Sequence, residues 1–177
     1  MGEPAEKQAL IMIYTGNGKG KTSAAVGQAI RALGAGLKVS FGQFLKRDNK
    51  AGEQAILKSM LKDNFLASGI GFLRNREDMP AHREKASELL AWAYEKIRSS
   101  CELLVLDESI YALKMELITR DEVMDIIKQC RINNTSLVLT GRQVPDWLSA
   151  EADMISELVE VKHHFHKNIK ARKGIEY

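Results

Sequence analysis

ALIMIYTGNGKGKTS, residues 9–23, joins an apolar run to a turn made of glycines, lysines and hydroxyls. The apolar half, Ala9–Thr15, is continuous rather than alternating and stops at Gly16, which predicts a strand buried on both faces. Beyond the turn, Ala25, Val26, Ala29, Ile30 and Leu33 recur at helical spacing, and Gly34 and Gly36 close the run. A strand, a glycine-rich turn and a helix in that order make an anion site, because the backbone N–H groups of the turn and the helix start converge. Gly16, Gly18 and Gly20 allow backbone conformations that side chains would block. Lys21 adds a point charge, expected to stand exposed in the loop, and Thr22 offers a hydroxyl to Mg²⁺. Gly20, Lys21 and Thr22 fit the second half of the phosphate-loop pattern G-x-x-x-x-G-K-[ST], while Thr15 stands where its first glycine belongs. The dinucleotide pattern G-x-G-x-x-G does not fit. A flexible Gly/Lys turn is the bland alternative, and the flanking strand and helix disfavour it. The residues expected against the nucleotide are Thr15, Gly16, Asn17, Gly18, Lys19, Gly20, Lys21, Thr22 and Ser23.

Working outward, LLVLDE (103–108) is a second buried strand, ending in Asp107 and Glu108. An acid at the end of a strand near a phosphate loop helps hold Mg²⁺. The two strands are expected to lie side by side, with both motifs at their carboxyl ends, where open α/β sheets bind ligands. Further strands are expected at 37–44, in NFLAS, in TSLVLTG and in MISELVEV. Helices are expected at 53–61, 80–98 and 120–131, the last opened by a Thr119/Glu122 capping box, with a short one in VPDWLSAEA. This alternation predicts an α/β fold: a three-layer, mainly parallel sheet of about six strands with helices on both faces. The whole chain, 1–177, reads as one domain, with a flexible lead at 1–8 and a basic tail at 161–177 that is either disordered or a lid.

A hydrophobic fraction of 45% and a charged fraction of 28% over 177 residues exclude a disordered chain. A net charge of +3 is too mild to argue for nucleic acid, though it suits an anionic ligand. Cys101 and Cys130 are far apart in sequence and read as free core thiols of a reducing compartment. Neither a signal peptide nor a membrane span is evident, so a cytoplasmic protein is expected. Arg142 follows the fifth strand and either reaches a phosphate or is a solvated loop charge. His163, His164 and His166 have the composition of metal ligands, but adjacent histidines without further partners read better as an ordinary tail. Trp92 and Trp147 read as packing anchors, and Phe72 lies in the mobile-looking ASGIGFLRNRED.

Five pieces then fall in order: YTGNGKGKTSAA, GQFLK, LLVLDESIYALK, LVLTGRQVP and the ending VKHHF…IKARKGIEY. On these the chain resembles the phosphate-loop type of ATP:corrinoid adenosyltransferases, from about Ile11 to Tyr177. Thr at the head of the loop is that family's own variant. DExxYALK and the VKH tail separate it from RecA-like ATPases and from kinases. The resemblance implies a P-loop NTPase (RecA-like) fold and transfer of the 5′-deoxyadenosyl group of ATP to the Co(I) centre of a reduced corrinoid. That corrinoid is cobalamin or a precursor such as cob(I)yrinic acid a,c-diamide, and the other product is triphosphate. ATP is expected to lie reversed along the loop. Cob(I) is itself a strong nucleophile, so none is needed from the protein. Lys21, Thr22 and Glu108 carry the catalytic role, and Thr22, Asp107 and Glu108 hold Mg²⁺, with Mn²⁺ as the alternative ion. Ile70 and Phe72 match the corrinoid-facing positions, where relatives carry larger aromatics. The tail departs at His166, Lys167 and Asn168. A homodimer and a flavoprotein-type reductant are also implied, with no nucleic-acid or membrane partner. Two other functions fit the residues alone: a P-loop ATPase or kinase that uses Glu108 to orient a water or hydroxyl, and a non-enzymatic carrier of corrinoid or nucleotide.

Overall fold

The computed structural model describes residues 8–71, 73 and 75–175. Most of the N-terminal lead, residues 1–7, and Phe72 lie outside the described residues. Six strands form one sheet: β1 (Ile11–Thr15), β2 (Val39–Phe44), β3 (Phe65–Ser68), β4 (Leu103–Asp107), β5 (Ser136–Thr140) and β6 (Met154–Glu157). The helices are α1 (Lys21–Gly34), α2 (Gly52–Leu61), α3 (Met79–Arg98), α4 (Ser109–Lys114), α5 (Arg120–Ile132) and α6 (Asp146–Ser149).

The strand order is β3-β2-β4-β5-β1-β6, and every pairing is parallel. All ligand-facing strand ends therefore point the same way. One expectation is corrected here. β1 and β4 are not neighbours, because β5 runs between them. The motifs of both strands still meet at one edge, and β5 adds its own last residue, Thr140, to the meeting point.

The central strands are largely apolar because both their faces are covered. Alternate residues point to opposite sides. Ile11, Ile13, Leu104, Leu106, Leu137 and Leu139 pack with Leu89 and Ala93 of α3, Ile110 of α4 and Ile126 of α5. Met12, Tyr14, Leu103, Val105 and Val138 face the other way, against Ala25 and Ala29 of α1 and Leu57 of α2. Burying a side chain such as Leu104 contributes roughly 1.5–3 kcal/mol. Cys101 and Cys130 are buried free thiols within the first of these cores. Ile30, on the expected apolar face of α1, stays exposed. The four residues of β6 are also exposed, since it is an edge strand paired to β1 alone.

The Thr119 capping box is present: Glu122 N–H donates to Thr119 Oγ1 at 3.2 Å, and Thr119 N–H donates to Glu122 Oε2 at 2.7 Å. α4 was not anticipated from sequence, because six residues are too few to set up a periodicity. Glu108 turns the chain from β4 into α4 with a left-handed φ of 59°.

Candidate functional site

The loop after β1 is shaped by the chain that follows β6. Gly18 N–H donates to Leu158 O at 2.7 Å, and Leu158 N–H donates to Thr15 O at 2.8 Å. A Cβ on Gly16 would lie 2.4 Å from Leu158 O, and one on Gly18 would lie 2.6 Å from it. The alternating glycines therefore also answer to this close backbone approach. Gly16 and Gly20 have φ of +99° and +112°. Thr15 is still strand, in register with Glu157, so glycine is not needed at that position. The conformational freedom falls one residue later than in the general pattern.

Lys21 is buried, contrary to the exposed side chain expected. Its ammonium is folded into the loop and donates to Gly16 O and Gly18 O, each at 2.8 Å. The reason is local: two carbonyls turned inward by the glycine backbone need a donor. Burial and the nearby Arg142 push the Lys21 pKa below its ordinary value, against Glu108 and Asp107. Gly20 precedes α1 with no side-chain cap, and the first turn holds no acid, so the positive end of the helix dipole is not offset.

Asp107, at the end of β4, is fully buried. Thr22 Oγ1 donates to its carboxylate at 3.1 and 3.2 Å, and Thr140 Oγ1 at 2.7 Å. Gln43 Nε2 donates to Oδ2 at 3.1 Å, and Lys46 Nζ at 2.9 Å. Lys46 also reaches Glu53 Oε1 at 3.0 Å. Burial lowers the Lys46 pKa, but Asp107 and Glu53 outweigh it and hold it raised. For Glu53 burial acts upward, and Lys46 and Gln43 overcome it to hold the carboxyl below its usual range. Glu108, half-buried, shifts the other way: burial and the adjacent Asp107 raise it, against Lys46, Lys21 and Arg142. Hydroxyl and carboxylate oxygens make a hard donor set of the kind Mg²⁺ takes.

The structure thus brings Lys21, Thr22 and Asp107 into one edge with Glu108 beside them. Arg142 is exposed, though its charge is felt at Lys21 and Glu108. Sequence reasoning missed Gln43, Lys46, Glu53 and Thr140 as members of this edge. A glutamine inside the buried β2 was a signal; Glu53 and Thr140 needed the strand order. Ile70 is half-buried in the segment after β3. That segment is tied to the end of β2: Arg47 Nε donates to Ile70 O at 2.5 Å, and Gly71 N–H donates to Leu45 O at 3.0 Å. In the tail, Lys19 Nζ donates to Ile175 O, and His166 pairs with Glu160 at 2.8 Å. Among the described residues, the histidines form no group that could hold a metal ion. No described helix is long and apolar enough to cross a membrane.

The parallel sheet, the strand-to-helix phosphate loop and the acid on β4 define the RecA-like class of P-loop NTPase folds. A KaiC-like protein from Pyrococcus horikoshii OT3 matches with a TM-score of 0.59 at 16% identity, over 86% of this chain and 73% of that one. The finer assignment comes from sequence relatives. The profile of the family described as ATP:corrinoid adenosyltransferase BtuR/CobO/CobP matches residues 7–177, and the chain belongs to that family. A corrinoid adenosyltransferase of Escherichia coli (strain K12) is 35% identical over 178 residues, covering 97% of this chain and 87% of that protein. The corrinoid adenosyltransferase CobA of Salmonella typhimurium (strain LT2) is 34% identical over 175 residues, with the same coverages, 97% and 87%.

Proposed function

We propose that this chain transfers the 5′-deoxyadenosyl group of ATP to the Co(I) centre of a reduced corrinoid. The electron pair on cobalt attacks the ribose 5′-carbon, the C5′–O bond breaks, and triphosphate leaves with that bond's electrons. What carries the reading, beside family membership, is the convergence of Lys21, Thr22 and Asp107 at the start of α1. An ammonium that would meet a phosphate and a hydroxyl–carboxylate pair that would hold its metal ion are gathered there. The work of the site is positioning and charge stabilisation.

The loop residues Thr15 to Ser23 cradle the phosphates through backbone N–H groups. Lys21 turns from the Gly16 and Gly18 carbonyls to a phosphate oxygen. Arg142 reaches the same chain from the end of β5. Thr22, Asp107 and Glu108 are the proposed holders of Mg²⁺, or Mn²⁺ in its stead. That ion supplies positive charge against the departing triphosphate. Ile70 and Phe72 give the corrinoid an apolar wall that excludes water. The rest of the reading is a single domain over 1–177, a tail from 161 that is either disordered or a lid, a homodimer, a flavoprotein-type reductant and a cytoplasmic setting.

The test is an anaerobic incubation of the protein with ATP, Mg²⁺ and chemically reduced cob(I)alamin. Growth of a light-sensitive alkylcobalt spectrum is the expected result. Tight corrinoid binding with no photolabile product would mean a carrier instead.

A further inference from the structure

Lys46 has a place that the phosphate-loop pattern does not account for. Its ammonium lies 2.9 Å from Asp107 Oδ2, 3.0 Å from Glu53 Oε1 and 3.3 Å from Thr22 Oγ1. Those three oxygens come from three elements: β4, α2 and α1. Two of them belong to residues proposed above as metal holders. Thr22, Gln43 and Thr140, the other side chains on Asp107, are neutral, so Lys46 supplies the cation that the buried carboxylate requires.

An ammonium and a divalent ion compete for these oxygens. Mg²⁺ stands about 2.0–2.1 Å from its ligands. Bound to Thr22 Oγ1 and Asp107 Oδ2, it would place two cations on the same acceptors. We infer that Lys46 is a positioning residue, a built-in counter-cation that must leave the Thr22 and Asp107 oxygens before a divalent ion can bind them. This rests on the proposed reading of Thr22 and Asp107 as metal holders.

The surroundings suit such an exchange. The backbone at Lys46 is pinned: Leu45 is buried in a left-handed conformation, φ 61°, and Lys46 N–H donates to Phe44 O at 2.7 Å. The side chain, by contrast, is partly exposed. Gln43 Nε2 bridges the same two acids, at 3.1 Å to Asp107 and 3.0 Å to Glu53, and its own Oε1 accepts from Gln54 Nε2 at 2.9 Å. That bond fixes which way the amide faces, so the carboxylates keep their places when the ammonium departs. The phosphates of a nucleotide at the start of α1 would offer it a new partner. A metal arriving with nucleotide therefore meets less competition than a metal arriving alone.

The experiment titrates the full chain with Mn²⁺ alone, without nucleotide or corrinoid, following free Mn²⁺ by electron paramagnetic resonance. The wild type is compared with Lys46→Met. The expected result is at least about tenfold tighter Mn²⁺ binding in Lys46→Met, the size of change that metal-site partners typically produce. An unchanged or weaker affinity in folded Lys46→Met overturns the inference. Should Lys46→Met not fold, Lys46→Gln, which keeps a donor to Asp107, is read by the same criterion. A parallel titration with Mn²⁺·ATP on Asp107→Asn separates the two claims. If that variant binds Mn²⁺·ATP like the wild type, the metal reading itself is wrong, and Lys46 falls with it.

Discussion

Thr22 Oγ1 lies 3.1 Å from Asp107 Oδ1, although 85 residues and an intervening strand separate their origins. The hydroxyl at the start of α1 and the acid at the end of β4, the two residues proposed to share a metal ion, are thus already within hydrogen-bond reach of each other. Thr22→Ala removes one proposed ligand and leaves Asp107 its bonds to Thr140, Gln43 and Lys46. The fold is expected to survive, with apparent Mg²⁺ affinity in the presence of ATP weakened by about 10–100-fold. Activity measured against Mg²⁺ concentration checks this; an unchanged Mg²⁺ dependence would remove Thr22 from the metal site.

Lys21 combines two roles. Its ammonium satisfies the Gly16 and Gly18 carbonyls and is the charge nearest the expected phosphates. Lys21→Ala should lower turnover by about 10²–10³-fold, the effect of deleting one charge-stabilising donor. It should also cost about 1–3 kcal/mol of stability, because two loop carbonyls lose their donor. Denaturant unfolding beside steady-state kinetics separates the two losses.

Gly16 is constrained twice over. Its φ is +99°, and a Cβ there would meet Leu158 O at 2.4 Å. Both objections involve backbone, so no side chain can give way. Gly16→Ala is expected to destabilise by at least about 1–3 kcal/mol. It should also weaken nucleotide binding, whereas Gly27→Ala, with open space around it, should do neither. Thermal unfolding of the pair is the comparison.

Away from the site, Glu122 offers a pH test of the fold. Burial pushes its carboxyl up, but Arg83 and the Thr119 cap outweigh this and hold its pKa below the ordinary 4.5. A lowered acid contributes stability that is present above its unfolded value and lost as pH falls through the folded one. The wild-type melting temperature should therefore drop more steeply below about pH 4.5 than that of Glu122→Gln, and the two profiles should run parallel from pH 6 to 8. Identical acid limbs would show that Glu122 is not linked to folding.

The sheet was legible because its strands are continuous apolar runs ending at glycines or acids, as in IMIYT before Gly16 and LLVLD before Glu108. The loop was legible for the same reason: its chemistry is local, within Gly16–Thr22. What escaped the sequence was non-local. That β5 separates β1 from β4 depends on pairing, which no strand carries within itself. Thr140 and Glu53 join Asp107 only through that order and through the packing of α2. Lys21 was misplaced because its burial depends on carbonyls turned inward by a backbone that only the folded loop reveals. Thr15, which first reads as a fault in the pattern, is a strand residue whose carbonyl accepts from Leu158.

The most direct measurement identifies the phosphate product. With ATP, Mg²⁺ and cob(I)alamin under anaerobic conditions, ³¹P NMR should show triphosphate accumulating one-for-one with the adenosylated corrinoid, and none should form when the corrinoid is omitted. Release of ADP and inorganic phosphate, independent of corrinoid, would contradict attack at carbon and return the site to the hydrolases.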